Sequence, residues 1–211
     1  KEGIDVISRN PRLGIEGLRS ISGSKDIGIS ELGYRIGPRI NAAGRTGSSD
    51  LGFRLLTSRN EDEVLAISER LNNLNKQRQN IEETVLFEAI NNIEANIINK
   101  KLNIIPNSLI VSGENWHLGV LGIVASRLKD KYYRPSFVLS FSEGKFTGSA
   151  RSISGIDIGK LIIKAVNKNL LLSGGGHKMA AGFSLNDDTF EDFKEFCEEE
   201  VYLQSNNTTL N

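Results

Sequence analysis

From Asn60 to Lys100 the chain contains neither glycine nor proline, and an apolar series falls at Val64, Ile67, Leu71, Leu74, Ile81, Val85, Ala89, Ile93 and Ile97. Steps of three and four, with one of seven from Leu74 to Ile81, are the repeat of one face of an α-helix, and nothing within the stretch would stop such a helix. Asn60, with Glu63 three residues on, supplies a cap at its start. At 1.5 Å per residue, ~40 residues make a rod of about 60 Å, longer than a typical globular helix. Two architectures accommodate it: a coiled coil with a second copy, or a connector between two lobes. Arg78 interrupts the apolar seam and clean heptads are few, which favours the connector.

Residues 1–59, before the helix, are punctuated by glycine, with short helical patterns between, such as Ile4, Val6, Ile7 and Leu51, Phe53, Leu55, Leu56. So little continuous apolar surface does not close a core by itself, so this segment is expected to be the tail of a larger domain. The chain starts at Lys1 and its only methionine is Met179, as expected of a fragment.

Residues 101–205, after the helix, read as a compact α/β unit. Strands are expected at Leu109–Val111, Ser136–Phe141, Phe146–Arg151 and Met179–Leu185, with Glu143-Gly144 as a hairpin turn. Helices are expected at Val120–Lys129, Ile156–Val166 and Asp188–Tyr202, the last carrying Phe190, Phe193, Cys197 and Val201 inward. Such alternation predicts a mixed sheet covered by helices. The polar residues 206–211 are expected to form a disordered tail.

Twenty-six basic and 26 acidic side chains leave no net charge, so a polyanion-binding surface must come from local clustering. The single cysteine, Cys197, excludes an internal disulfide framework and any cysteine-based zinc site, and its place on the last helix makes it a core residue. No apolar run approaches the ~20 residues of a membrane span. The expectation is a soluble, cytoplasmic protein.

Four stretches carry chemistry. In "SGGGHKMAAG", Gly174, Gly175 and Gly176 precede His177 and Lys178. Glycine permits positive φ and close approach to main-chain N–H groups, so this run can form an anion-accepting nest beside a titratable donor. The plainer reading is a tight loop that needs glycine for its turn. Ala180, Ala181 and Gly182 leave room for something to lie across the next strand. In "TGSARS", Thr147, Ser149 and Arg151 alternate along a strand, so a hydroxyl and a guanidinium share one face and can converge on a phosphate. Arg151 as an ordinary exposed strand residue is the alternative. In "YRIGPRINAAGRTG", Arg35, Arg39 and Arg45 lie close together without an acid between them, the local basic cluster that a nucleic-acid or phosphate contact needs. In "GENWHLGVLGIVASRL", Trp116 and His117 stand at a helix entrance; packing suits Trp116, and His117 is either a helix-end hydrogen bonder or a contact residue.

With two histidines sixty residues apart and no acidic cluster outside helix surfaces, the chain offers no divalent-metal site. It offers no Ser-His-Asp or Cys-His arrangement either.

The order "RIGPRINAAGR", long helix, "WHLGVLGIVASRL", "GSARS", "SGGGHKMAAG" resembles the C-terminal part of the RecJ family of single-strand-specific exonucleases, within the DHH phosphoesterase superfamily. The resemblance covers nearly the whole chain. It implies that residues 1–59 close a DHH catalytic domain, that 60–100 connect, and that 101–205 form an α/β DHH-associated domain that clamps the nucleic acid. It implies 5′→3′ hydrolysis of single-stranded DNA to mononucleotides in repair and recombination, with manganese or magnesium held by aspartates and histidines. By motif, Ser149, Arg151 and Arg45 would contact the 5′-phosphate, with Arg39 and Lys178 also on the substrate. The Gly174–His177 run would face the nucleotide beside the scissile bond, His177 touching the transition state or leaving group. The partners it implies are single-stranded DNA with a 5′ end, a helicase and a single-strand-binding protein, with the enzyme a monomer and no membrane involved. The departure is that neither the Asp-His-His triplet nor its preceding acidic motifs occur here, so the fragment alone is expected to hydrolyse nothing. Superfamily enzymes that cleave short oligonucleotides or cyclic dinucleotides, and non-catalytic nucleic-acid-binding modules, are the alternatives.

Overall fold

The computed structural model describes residues 2–24, 26–45, 50–99 and 105–208, with the side chains of 45, 96–99 and 207–208 left aside. The long helix forms as the periodicity requires. Asn60 Oδ1 accepts from the N–H of Glu63 at 3.0 Å, and the helix runs from Glu61 to Asn99. Glu63 does not complete a reciprocal cap, because its carboxylate is taken by Arg54 Nη2 at 2.8 Å and Ser58 Oγ at 2.7 Å. The chain divides into two compact units, Lys1–Ile81 and Glu82–Asn211, and the division falls inside this helix.

The first unit is helical: α1 (Glu2–Arg9), α2 (Leu13–Ser22), α3 (Ile29–Glu31), a π-helical turn over Leu32–Ile36 that leads into α4 (Gly37–Arg45), α5 (Asp50–Thr57), and the first part of α6 (Glu61–Asn99). Its core joins Leu18, Ile27, Ile36, Ala43, Leu51 and Leu55 to Val64, Ile67 and Leu71 of α6. The segment before the long helix therefore completes its core with that helix's first turns.

The second unit is a five-stranded mixed sheet in the order β1-β2-β3-β5-β4, where β1 is Leu109–Glu114, β2 Ser136–Ser142, β3 Lys145–Arg151, β4 Ser173–His177 and β5 Ala180–Asn186. β1 and β2 are parallel and joined through α7 (Leu118–Tyr132); the other pairings are antiparallel. The β2–β3 hairpin turns at Glu143 (φ +52°) and Gly144 (φ +76°), two left-handed residues that match the twist of the flanking strands. α8 (Ile158–Asn167) and α9 (Phe190–Thr208) cover one face of the sheet. Phe137, Phe146, Phe183, Leu185, Leu161, Ile162, Phe193 and Cys197 form the core there. Burial pushes the Cys197 thiol well above the ordinary thiol range, which makes it the inert core residue that its position predicts. α7 packs on the other face, against β2 and β3.

Two expectations need correcting. The stretch expected as a disordered tail from residue 206 continues α9 as far as Thr208, and 209–211 lie outside the described residues. The glycine run expected as a loop is a strand, β4, at the sheet's edge. Among the described residues no helix is long and apolar enough to cross a membrane.

Candidate nucleic-acid interface

Side chains alternate along β3, and the alternation divides its labour. Phe146 and Ala150 point into the α8/α9 core, while Thr147, Ser149 and Arg151 take the opposite face. Cross-strand register extends that face over β5 and β4. Arg151 stands opposite Ala180, and Ala180 opposite His177; Ser149 faces Gly182, which faces Gly175; Thr147 faces Ser184, which faces Ser173. These three rows run across three strands, each strand about 4.8 Å from the next.

Beyond Ser149 the middle row is bare backbone. Gly175 and Gly182 are exposed, and a Cβ on Gly175 would meet nothing within 4 Å, one on Gly182 only the Gly148 carbonyl oxygen at 3.9 Å. The glycines beside Gly175 answer a different need. A Cβ on Gly174 would lie 2.6 Å from Ile162 Cγ2, and one on Gly176 2.3 Å from the Ala180 carbonyl oxygen. Gly174 and Gly176 thus let the edge strand lie tight on α8 and β5, and Gly175 leaves the open face flat. None of the three takes positive φ, so the nest expected from the sequence does not form. What the run offers is an extended, uncovered strand.

Around this floor stand polar side chains. His177 is exposed and makes no side-chain hydrogen bond among the described residues; Lys178, in the β4–β5 turn, makes no ion pair among them. Its carbonyl accepts from Ile158 N–H at 3.2 Å, which ties the turn to the start of α8. Arg151 is half-buried, and its Nη1 donates to the Ala150 carbonyl at 2.9 Å. On the α7 side, the place a Cβ of Gly122 would occupy is 2.8 Å from Arg151 Nη2 and 3.5 Å from Ser149 Oγ. The arrangement can present a fork of N–H donors, a hydroxyl and an imidazole to a phosphate-bearing ligand lying on exposed backbone.

The helix-entrance stretch divides as well. Trp116 is buried, its ring lies against Gly113, and its Nε1–H donates to Glu88 Oε2 at 2.6 Å, so it packs. His117 is the N-cap of α7, its Nδ1 accepting from Gly119 N–H at 3.1 Å.

The arginine cluster belongs to the first unit. Arg39 Nε donates to Asn72 Oδ1 at 3.0 Å and its Nη1 to the Arg35 carbonyl at 2.7 Å, while Arg35 Nη1 reaches the Ser22 carbonyl at 3.3 Å. Burial, with Arg35 close by, lowers the Arg39 pKa from its ordinary value. Arg39 is therefore engaged in tying α4 to α6. Arg45 ends α4, and its side chain lies outside the described residues. Among the described residues no three His, Cys, Asp or Glu side chains are grouped to hold a metal ion.

This fold, with its edge glycine strand and Ser-Arg strand face, defines a class. Residues 96–202 match the DHHA1 domain family, and the chain belongs to it. Among its relatives is the single-stranded-DNA-specific exonuclease RecJ of Haemophilus influenzae, 37% identical over 206 residues, which are 93% of this chain and 35% of that protein. The structure is similar to RecJ from Thermus thermophilus in complex with Mg2+, with TM-score 0.81, 32% identity, and coverage of 95% of this chain and 30% of that one. The same protein in complex with Mn2+ gives TM-score 0.80 at 32% identity, over 95% of this chain and 28% of that one. The chain spans about a third of the length of the curated relatives it matches.

Proposed function

We propose that this chain is the nucleic-acid-binding C-terminal part of a 5′→3′ exonuclease that hydrolyses single-stranded DNA to 5′-mononucleotides in repair and recombination. The observation that carries the reading is the row structure of the α7 face: Ser149 and Arg151, half-buried beneath α7 and two residues apart on β3, with the exposed, bare Gly182 and Gly175 beside them and His177 at the end of the Arg151 row. A 5′-phosphate takes two N–H donors from the Arg151 fork and the Ser149 hydroxyl, a charge-assisted set about twice as strong as neutral hydrogen bonds. The flat glycine backbone lets the first nucleotide lie against the strands, where any side chain would hold it off. His177 donates to a phosphate oxygen or to the leaving oxygen. Lys178 adds positive charge beside the β4–β5 turn, and Arg45 and Arg39 of the first unit are assigned to the substrate by motif.

The relatives' complexes with Mg2+ and Mn2+ support a divalent ion in the whole enzyme. No group among the described residues fits one, so we assign the ligands to another part of the enzyme and catalytic inactivity to this chain alone. Single-stranded DNA with a 5′ end is the substrate, a helicase and a single-strand-binding protein are its suppliers, and the working form is a monomer. The test is hydrolysis of a labelled single-stranded oligonucleotide by the purified chain supplied with Mn2+ or Mg2+. No release of mononucleotides is expected; turnover that disappears in Arg151→Ala would contradict the assignment.

A further inference from the structure

Gly122 lies inside α7, where alanine would favour the helix, so its presence needs a reason. A Cβ there would stand 2.8 Å from Arg151 Nη2, 3.4 Å from Arg151 Cζ and 3.5 Å from Ser149 Oγ. All three nearest atoms belong to the Ser149–Arg151 pair, and none is backbone. A glycine kept for close packing meets backbone or core side chains, as Gly176 meets the Ala180 carbonyl oxygen of the neighbouring strand at 2.3 Å and Gly174 meets Ile162 of α8 at 2.6 Å. The closest atoms at Gly122 are the far end of a long, flexible side chain, which can swing away without disturbing the fold.

We propose that Gly122 is a positioning residue: the notch it leaves in α7 seats the Arg151 guanidinium, with Nη1 bonded to the Ala150 carbonyl at 2.9 Å, so that the fork stands beside the Ser149 hydroxyl. The inference rests on the phosphate-binding reading above. Its consequence is a dissociation of stability from recognition. A methyl at 122 leaves the helix as stable or more stable, displaces the guanidinium, and costs most of the preference for a phosphorylated end. The notch explains why a glycine sits in the middle of "GVLGIV", which helix propensity alone would not place there.

The experiment uses the 211-residue chain with 15N-labelled arginine, where the Arg151 Nε–Hε signal is identified by its loss in Arg151→Ala. In Gly122→Ala that signal should move while the melting temperature holds or rises. The ratio of affinities for a 5′-phosphorylated over a 5′-hydroxyl oligothymidylate should fall at least fivefold, and Gly122→Ala/Arg151→Ala should match Arg151→Ala alone, because coupled residues are not additive. Gly122→Ser should behave alike. An unmoved Arg151 signal in both variants, or an unchanged affinity ratio with the signal moved, overturns the proposal; so does a fall in melting temperature like that of Gly176→Ala, which would make Gly122 a packing residue. If the unmutated chain shows no preference for the phosphate, the phosphate-binding reading fails, and the Arg151 signal alone then decides whether Gly122 seats the guanidinium.

Discussion

The two faces of the sheet in the second unit are built on opposite rules. On the α8/α9 face, aromatic rings meet edge to face, Phe137 against Phe183 at 6.1 Å and against Phe193 at 6.0 Å between centroids, and even glycines are used up by close approach. On the other face α7 covers β2 and β3, while β5 and β4 carry Ala180, Gly182, Ser184, Ser173, Gly175 and His177 with no apolar side chain larger than alanine. A sheet face left so flat does not contribute to the hydrophobic core. Alternation along a single strand therefore separates a packed face from one of bare backbone and small polar side chains, and neighbouring glycines in one run serve different faces.

Substitutions on the two faces should accordingly fail in different ways. The largest effect belongs to the packed face: Phe193→Ala, which removes a fully buried ring, should cost about 3–5 kcal/mol in urea unfolding. Gly176→Ala should come next, costing about 1–3 kcal/mol or more, because its methyl would press on the Ala180 carbonyl and the backbone must shift. Gly175→Ala, the adjacent residue, should leave stability within about 0.5 kcal/mol and weaken oligonucleotide binding. Equal destabilisation by both glycine variants would erase the distinction between the faces. Smallest is the pH effect of Cys197. Its thiol is held protonated by burial, so its folded pKa lies above the unfolded one. That contribution is complete below the unfolded thiol's pKa and shrinks as pH rises through the alkaline range, so Cys197→Ser should flatten the alkaline part of the stability–pH curve. In the native chain the same thiol should resist alkylation until the protein unfolds.

How legible this was in the sequence depended on how much side chain there was to read. The helix Glu61–Asn99, the strand Lys145–Arg151 and the left-handed turn at Glu143-Gly144 announce themselves through periodicity and turn chemistry, and the shared face of Ser149 and Arg151 follows from alternation alone. "SGGGH" has no side chains from which to read a period of two, and glycine is scarce in strands, so β4 looked like a loop. Its true constraint, close contact with Ile162 and Ala180, is non-local. "RIGPRINAAGR" carries glycine and proline that read as breakers, yet Pro38 lies within a continuous helical path, just after a π-helical turn that passes into α4. Gly37 N–H bonds the Leu32 carbonyl, five residues back, and the helix runs on through a π-helical turn. Arg39 lost its place as a free cation for a similar reason: its partner, Asn72, is 33 residues away in sequence.

The central claim, that Ser149 and Arg151 at the covered edge of the bare β5–β4 face receive a phosphorylated 5′ end, is tested most directly by titrating the chain with a fluorescent single-stranded oligonucleotide, with and without a 5′-phosphate, across a salt series and in parallel with Arg151→Ala. The account predicts tighter binding of the phosphorylated strand, weakening as salt rises, with the phosphate preference falling about tenfold or more in the variant, as loss of a charge-assisted bond of about 1.5–3 kcal/mol requires. Equal affinity for the two strands by a folded chain, or a preference that survives Arg151→Ala, would contradict it.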